Sequence, residues 1–357
     1  MSVTPLLMCH KKRFCLVLLM AAVLAIPGCK TSPKLNQRIG AFFGCPLGME
    51  FPEPDELGHH QFNSGWSERN GMVYTCRGGF IDIAHLRESA DRTRYLREIT
   101  RQNLIDSRPD FSFQMIEPSI YTITIHYPEH WATLSPDQQK AIADTMSIRL
   151  GQYLAHTSTV WHEIITWFGF ASVAFLPEHP SSFSWEDTYS DLLGTRLAAQ
   201  AMEDSQHDFD KTLTVLIDRQ MQELCIQSAA VAELAEHTVK EKWFHNDFYF
   251  LIRMNKRNFD TGDDDGFITP WLIPGICTEI EPQSYPIPTM DFAAQWGFAF
   301  EVDLKPSEKE RIPILAIIYP DGSGTNLKPE NDFPAILQYI ESQAKEKYGP
   351  EVDVPRL

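Results

Sequence analysis

A long, uninterrupted helical pattern in the middle of the chain constrains its architecture more than any other feature. Ser135-Pro136-Asp137-Gln138 is a helix start, with Ser as N-cap, Pro at the first helical position and Gln138 completing a capping box. From there the chain reads as helix to about Gly169, with a break expected near Thr157–Thr159, where Gly151 and the cluster His156-Thr157-Ser158-Thr159 lower helix propensity. Residues 80–106, 210–226, 229–242 and about 332–347 supply further helical periodicity. Strand alternation is clearest at Ile120–Tyr127, which with Phe111–Ile116 across Glu117-Pro118-Ser119 forms an expected β-hairpin. Phe248–Met254 and Ile312–Tyr319 read as strands, and Trp296–Leu304 as a third. The expected fold class is α+β, a predominantly helical core with a small antiparallel sheet.

The N-terminus precedes that domain. Lys11, Lys12 and Arg13 form a positive region before the uncharged apolar run Phe14–Ile26, which is short for a membrane span and suited to a signal sequence. The run ends in Ala25-Ile26-Pro27-Gly28-Cys29, which resembles a bacterial lipobox. The resemblance implies cleavage before Cys29 and acylation of its sulfur, palmitate included. It also implies a lipoprotein held at the cell envelope, facing the periplasm from the outer membrane, since Lys30 is not the Asp that retains lipoproteins at the inner membrane. Residues 1–28 are thus expected to be the leader and 29–40 a lipidated tether. Residues 41–350 are expected to be one globular domain, with sub-lobes 41–205 and 206–350 conceivable. Met8 is an alternative start.

The whole chain carries a formal charge of −17, and about −20 without the leader. Such an acidic chain is not expected to bind nucleic acid, so the acyl group on Cys29 is the expected membrane contact. Of the seven cysteines, Cys45, Cys76, Cys225 and Cys277 remain for one or two disulfides in an oxidising compartment, with the pairing open.

The stretch that carries chemistry is His162-Glu163-Ile164-Ile165-Thr166, followed by Glu186-Asp187-Thr188-Tyr189-Ser190-Asp191-Leu192-Leu193-Gly194. It resembles the paired metal-site helices of thermolysin-like gluzincin metallopeptidases, a zincin-like helix pair. The resemblance implies zinc held by His162 and by Asp187 or Glu186, with Glu163 as general base toward a metal-bound water. Asp191 would hydrogen-bond the far nitrogen of His162. Thr166 stands where that family has its second imidazole, and His85, three residues after Asp82 on the next candidate helix, is the expected substitute. His59 and His60 are poorer candidates. A harder metal held by Glu163, Glu186, Asp187 and Asp191, with His162 as the only nitrogen, is the other way to complete the site. The chain is also similar to an uncharacterised bacterial lipoprotein family, a domain of unknown function. Tyr74–His85, Trp161–Gly169 and Gly266–Pro274 carry that resemblance, which implies no activity. A metal-dependent hydrolase of peptide, cell-wall or lipid-derived substrates is therefore expected, with a non-catalytic binding or assembly lipoprotein as the alternative. Asp260–Gly266 is expected to be an acidic turn rather than an EF-hand, because Leu272 stands where the bidentate Glu would be.

Overall fold

Three helices set the position of everything else. They are α1 (Ile83–Ile105), α2 (Pro136–Trp167) and α3 (Asp187–Glu203), and α1 packs against both others. The structure, a computed structural model, describes residues 35–43, 49–172, 178–204, 206–248 and 251–357. The close approach of the three helices has a visible cause. A Cβ on Gly151 of α2 would lie 3.0 Å from the Thr93 carbonyl oxygen of α1, and a Cβ on Gly194 of α3 only 2.1 Å from the Leu86 carbonyl oxygen. Neither contact leaves room for a larger residue, so the glycines let both helices seat directly on the α1 backbone.

Helix α2 begins as its sequence predicts, with the Ser135 side chain and Gln138 forming a reciprocal capping box, a device worth about 1 kcal/mol. The expected break near Thr157–Thr159 is absent. Thr157, Ser158 and Thr159 return their hydroxyls to carbonyls of their own helix, so the polar cluster is absorbed without interrupting the ladder.

The hairpin β1 (Met72–Thr75) and β2 (Gly79–Asp82) leads straight into α1. The helix expected from residue 80 therefore starts later, because residues 79–82 pair as strand and Asp82 is the N-cap, accepting from the Ala84 N–H. β3 (Asp110–Gln114), β4 (Ile120–His126) and β9 (Ala299–Lys305) form a three-stranded antiparallel sheet with β4 in the centre. Its inner face meets α1, α2 and α7 (Pro329–Tyr348) in one apolar core that includes Trp161, Ile164, Ile123, Val302 and Ile336. A second core joins α1 and α3 to α4 (Phe209–Glu223), and a third, rich in aromatic rings, gathers Phe43, Tyr74, Phe80, Trp185, Trp243 and Phe244 beside α5 (Ala229–Val239). The α+β reading holds.

Two segments differ from expectation. The run expected as a strand at Ile312–Tyr319 is helix α6, Arg311–Ile318. Its apolar residues are continuous rather than alternating, a pattern that fits a buried-side helix as well as a strand, and Pro313 falls in the first turn, where no N–H is needed. The single strand expected at Phe248–Met254 is divided between two arms of a hairpin, Phe248 ending β5 (Phe244–Phe248) and Leu251–Met254 forming β6. A two-residue pair, β7 (Phe267–Ile268) with β8 (Tyr285–Pro286), completes the strands.

Residues 35–357 form one compact unit. The expected free tether does not extend to residue 40, because Arg38 docks on the domain through Glu68 and Asp91, each at 2.7 Å, and is itself buried. The leader and Cys29 lie outside the described residues. No helix among the described residues is long and apolar enough to cross a membrane. Cys76 pairs with Cys277, Cys225 is free and exposed, and Cys45 lies outside the described residues.

Candidate functional site

Buried polar side chains are concentrated where α1, α2 and α3 face one another. Asp82, Ser89 and Arg92 of α1, His156, Thr159 and Glu163 of α2, and Glu186, Asp187, Thr188 and Asp191 at the start of α3 are all buried. Buried carboxylates at this density repel one another and lose hydration, so their protonation states carry the electrostatics of the site.

At one end stands His85. Its Nδ1 lies 2.7 Å from Oδ2 of Asp82 and 3.5 Å from Oδ1 of Asp187, and its side chain is 34% exposed. Asp82 is held by the N–H groups of Ala84 and Ala41, both at 2.7 Å. Gly40 crosses over the pair so closely that a Cβ there would lie 2.8 Å from the His85 ring. Burial works against charge on His85, but Asp187 and Asp82 outweigh it and hold the imidazole well above its ordinary pKa.

Asp187 and Glu186 share the Ser184 hydroxyl, which donates at 2.6 and 3.0 Å. Burial, offset in part by His85 but reinforced by Glu163, pushes Asp187 up to about 8. Burial and the neighbouring Asp187 push Glu186 well above the carboxylate range, and its Oε2 has no hydrogen-bond partner. Asp191, one turn on, accepts from the Ser89 hydroxyl at 2.5 Å and is raised by burial to about 6.

His162 faces elsewhere. Its Nδ1 lies 2.7 Å from Oε1 of Glu117, in the turn between β3 and β4. Burial opposes both charges, yet the contact wins: Glu117 is lowered to about 2 and His162 raised to about 9. Arg92, bonded to Glu88 at 2.6 Å, adds positive charge beside Glu117 and Asp191. The expected orientation of His162 by Asp191 is therefore corrected. Glu117 performs it, because the β3–β4 turn brings that carboxylate to the ring while Asp191 is held by Ser89. Glu163 is fixed by the Phe183 N–H at 2.6 Å, and the Thr166 hydroxyl is buried without a partner. His60 is buried in a different cluster, 3.2 Å from Asp91 and 3.5 Å from Glu68.

The structure thus brings His85, Asp82 and Asp187 together, with Asp191 and Glu163 close enough to perturb Asp187, and commits His162 to a separate ion pair. Among the described residues, no three His, Cys, Asp or Glu side chains are gathered tightly enough to hold a metal ion as they stand.

Sequence reasoning missed a cavity of about 10 Å³ between α2 and α3, lined by His156, Thr159, Glu163, Thr188, Asp191 and Thr261, with Val160 and Phe183 on its apolar side. That is room for one water molecule or one bare ion. Nδ1 of His156 has no partner, and burial lowers this imidazole to about 4, so it stays neutral. The signal was present in the sequence: His156, Thr159 and Glu163 are spaced i, i+3 and i+7, which places them on one face of the helix.

A family model described as a protein of unknown function, DUF4056, matches residues 51–266, a span that includes every residue of the site from Asp82 to Thr261. No curated protein and no solved structure matches the chain.

Proposed function

We propose that this chain, a member of the DUF4056 family, is a cell-envelope lipoprotein that holds a divalent cation between α2 and α3 and uses it in hydrolysis. The cavity is the observation that carries this function. It is sized for one ion and lined by two carboxylates, hydroxyl groups and a neutral imidazole with an unpartnered nitrogen. Such an oxygen-rich donor set suits a hard cation such as Mg²⁺, Mn²⁺ or Ca²⁺. It suits zinc less well, since His162 is engaged by Glu117 and Thr166 offers no imidazole.

The residues that would hold the cation are Glu163 and Asp191, with His156, Thr159 and Thr188 beside them, and Glu163 and Asp191 would turn inward to do so. Bound there, the ion would supply positive charge to a carbonyl or phosphoryl oxygen and acidify water. Raised to about 8, Asp187 carries a proton at neutral pH and can act as an acid toward a leaving group. His85, paired at 2.7 Å with the Asp82 carboxylate and partly exposed, is placed to orient an anionic part of the substrate at the open end. The lipobox-like leader supports the envelope location, and peptide, cell-wall or lipid-derived esters and amides are the substrate classes it makes available.

A second function is favoured by the small size of the cavity, which suits an ion alone: a non-catalytic binding or assembly lipoprotein in which the cation is structural. Hydrolysis of model peptides, muropeptides and acyl esters, assayed with Mg²⁺, Mn²⁺, Ca²⁺ and Zn²⁺ in turn, separates the two. A cation-dependent activity lost in Asp187→Asn and Glu163→Gln supports the hydrolase. Cation binding without hydrolysis of any of these substrates leaves the binding protein.

A further inference from the structure

At the opposite end of α7 from its N-terminus, the chain forms an open groove of about 770 Å³, a volume typical of small-molecule sites. Its walls carry Lys242, Arg253, Lys256 and Lys347, with Glu351 as the one acid among its lining residues. Four basic side chains round one groove are unexpected in a chain with 48 acidic and 31 basic residues.

The local balance is more one-sided than the count. Among the described side chains none of the four cations is in a salt bridge, and the acids of the groove, Glu351 in its wall and Asp353 next to it, each have a cation partner outside the four. Glu351 pairs with Arg356 at 3.7 Å and Asp353 with Lys345 at 3.0 Å. Lys256 is held in place by donating to the Glu351 carbonyl at 2.5 Å, and Lys347 lies over the Tyr348 ring at 5.0 Å, so two of the cations are positioned, Lys256 with the Glu351 and Asp353 charges acting on it. Arg253 projects from β6, opposite His245 in the β5–β6 hairpin, and offers a planar fork of donors suited to bidentate contact with an oxyanion.

We infer that this groove binds a phosphate-bearing ligand. Four positive charges against one lining carboxylate, Glu351, match a compact, multiply charged anion better than a single carboxylate. The acidic remainder of the surface disfavours an extended polyanion, which would meet it beyond the groove, while a small ligand feels chiefly the charges within about a Debye length of 8–10 Å. The same chemistry is offered by a soluble phosphate ester and by a phospholipid headgroup.

The full chain, in a non-ionic detergent at low salt, is titrated calorimetrically with inorganic pyrophosphate and, separately, with short-chain phosphatidylglycerol below its micelle concentration. Binding that weakens as salt is added, and that falls at least about tenfold in Arg253→Gln/Lys347→Gln but not in the distant Lys140→Gln, supports the site. Tighter binding of pyrophosphate assigns it to a soluble phosphate, and tighter binding of the lipid assigns it to a headgroup. All three substitutions are at exposed positions, and equal melting temperatures would confirm that each variant folds. Absence of binding to both probes, or equal binding by the folded double variant, overturns the proposal.

Discussion

The Nδ1 of His162 lies 2.7 Å from a carboxylate oxygen of Glu117, a residue that is almost wholly buried at the turn between β3 and β4. This contact ties the long helix α2 to the three-stranded sheet. It also removes from the metal-site reading the very imidazole that most suggested one. Removing one partner of such a pair leaves the other charge buried and alone, which costs about 3–5 kcal/mol. Glu117→Gln is accordingly expected to lower stability by that amount in chemical denaturation. His162→Ala/Glu117→Gln should cost less than the two single changes added together. Additive effects would show that the pair is not coupled.

The same pair dictates a pH profile. Glu117 is depressed to about 2 and so contributes stability that is present above the ordinary carboxylate pKa and lost as pH falls through 2. His162 is raised to about 9, so its contribution is complete below about 6.5 and lost as pH rises through 9. Melting temperatures of wild type minus His162→Ala should therefore be greatest between about pH 4.5 and 6.5 and shrink on both sides. A difference independent of pH would contradict the ion pair.

Asp187 behaves in the opposite sense. With a folded pKa of about 8, it costs stability that grows as pH rises from its unfolded value near 4 toward 8. Asp187→Asn should thus be more stable than wild type at pH 8 in chelator, by an amount on the order of 1–3 kcal/mol, with little difference at pH 4. Equal stability at both pH values would mean that Asp187 ionises normally.

Gly194 is the tightest helix contact in the site. Gly194→Ala places a methyl group 2.1 Å from the Leu86 carbonyl oxygen and should cost about 1–3 kcal/mol through displacement of α3 from α1. The helix propensity of Ala would otherwise favour this change by about 1 kcal/mol, so the sign of the measured difference decides which effect dominates. A stabilised variant would contradict the close packing.

Much of this was legible in the sequence, and the losses have physical causes. The capping box at Ser135 and the alternation of Ile120–Tyr127 are local signals, and both elements appear where the pattern puts them. The Ile312–Tyr319 run failed because a short continuous apolar stretch satisfies either period. Asp82 and His85 could be paired from their spacing on one helix face, as they are. Glu117 could not be paired with His162, because only the tertiary docking of the β3–β4 turn brings them together. His162-Glu163 and Asp187–Gly194, the two stretches singled out in the sequence, lie on α2 and α3, and Gly194 is the contact that seats α3 on α1. The pattern did not show that the polar stripe facing the cavity runs through His156, Thr159 and Glu163 rather than through His162.

The most direct test is the change in melting temperature of the full chain on adding Mg²⁺, Mn²⁺, Ca²⁺ or Zn²⁺ after chelation, combined with bound-metal content, for wild type, Asp191→Asn and His162→Ala. A cation held between α2 and α3 should raise the melting temperature of wild type and of His162→Ala alike, with at least one hard cation exceeding Zn²⁺, and Asp191→Asn should lose the response while remaining folded. No shift and no bound metal in wild type, or a response abolished by His162→Ala and kept by Asp191→Asn, would contradict the cation site.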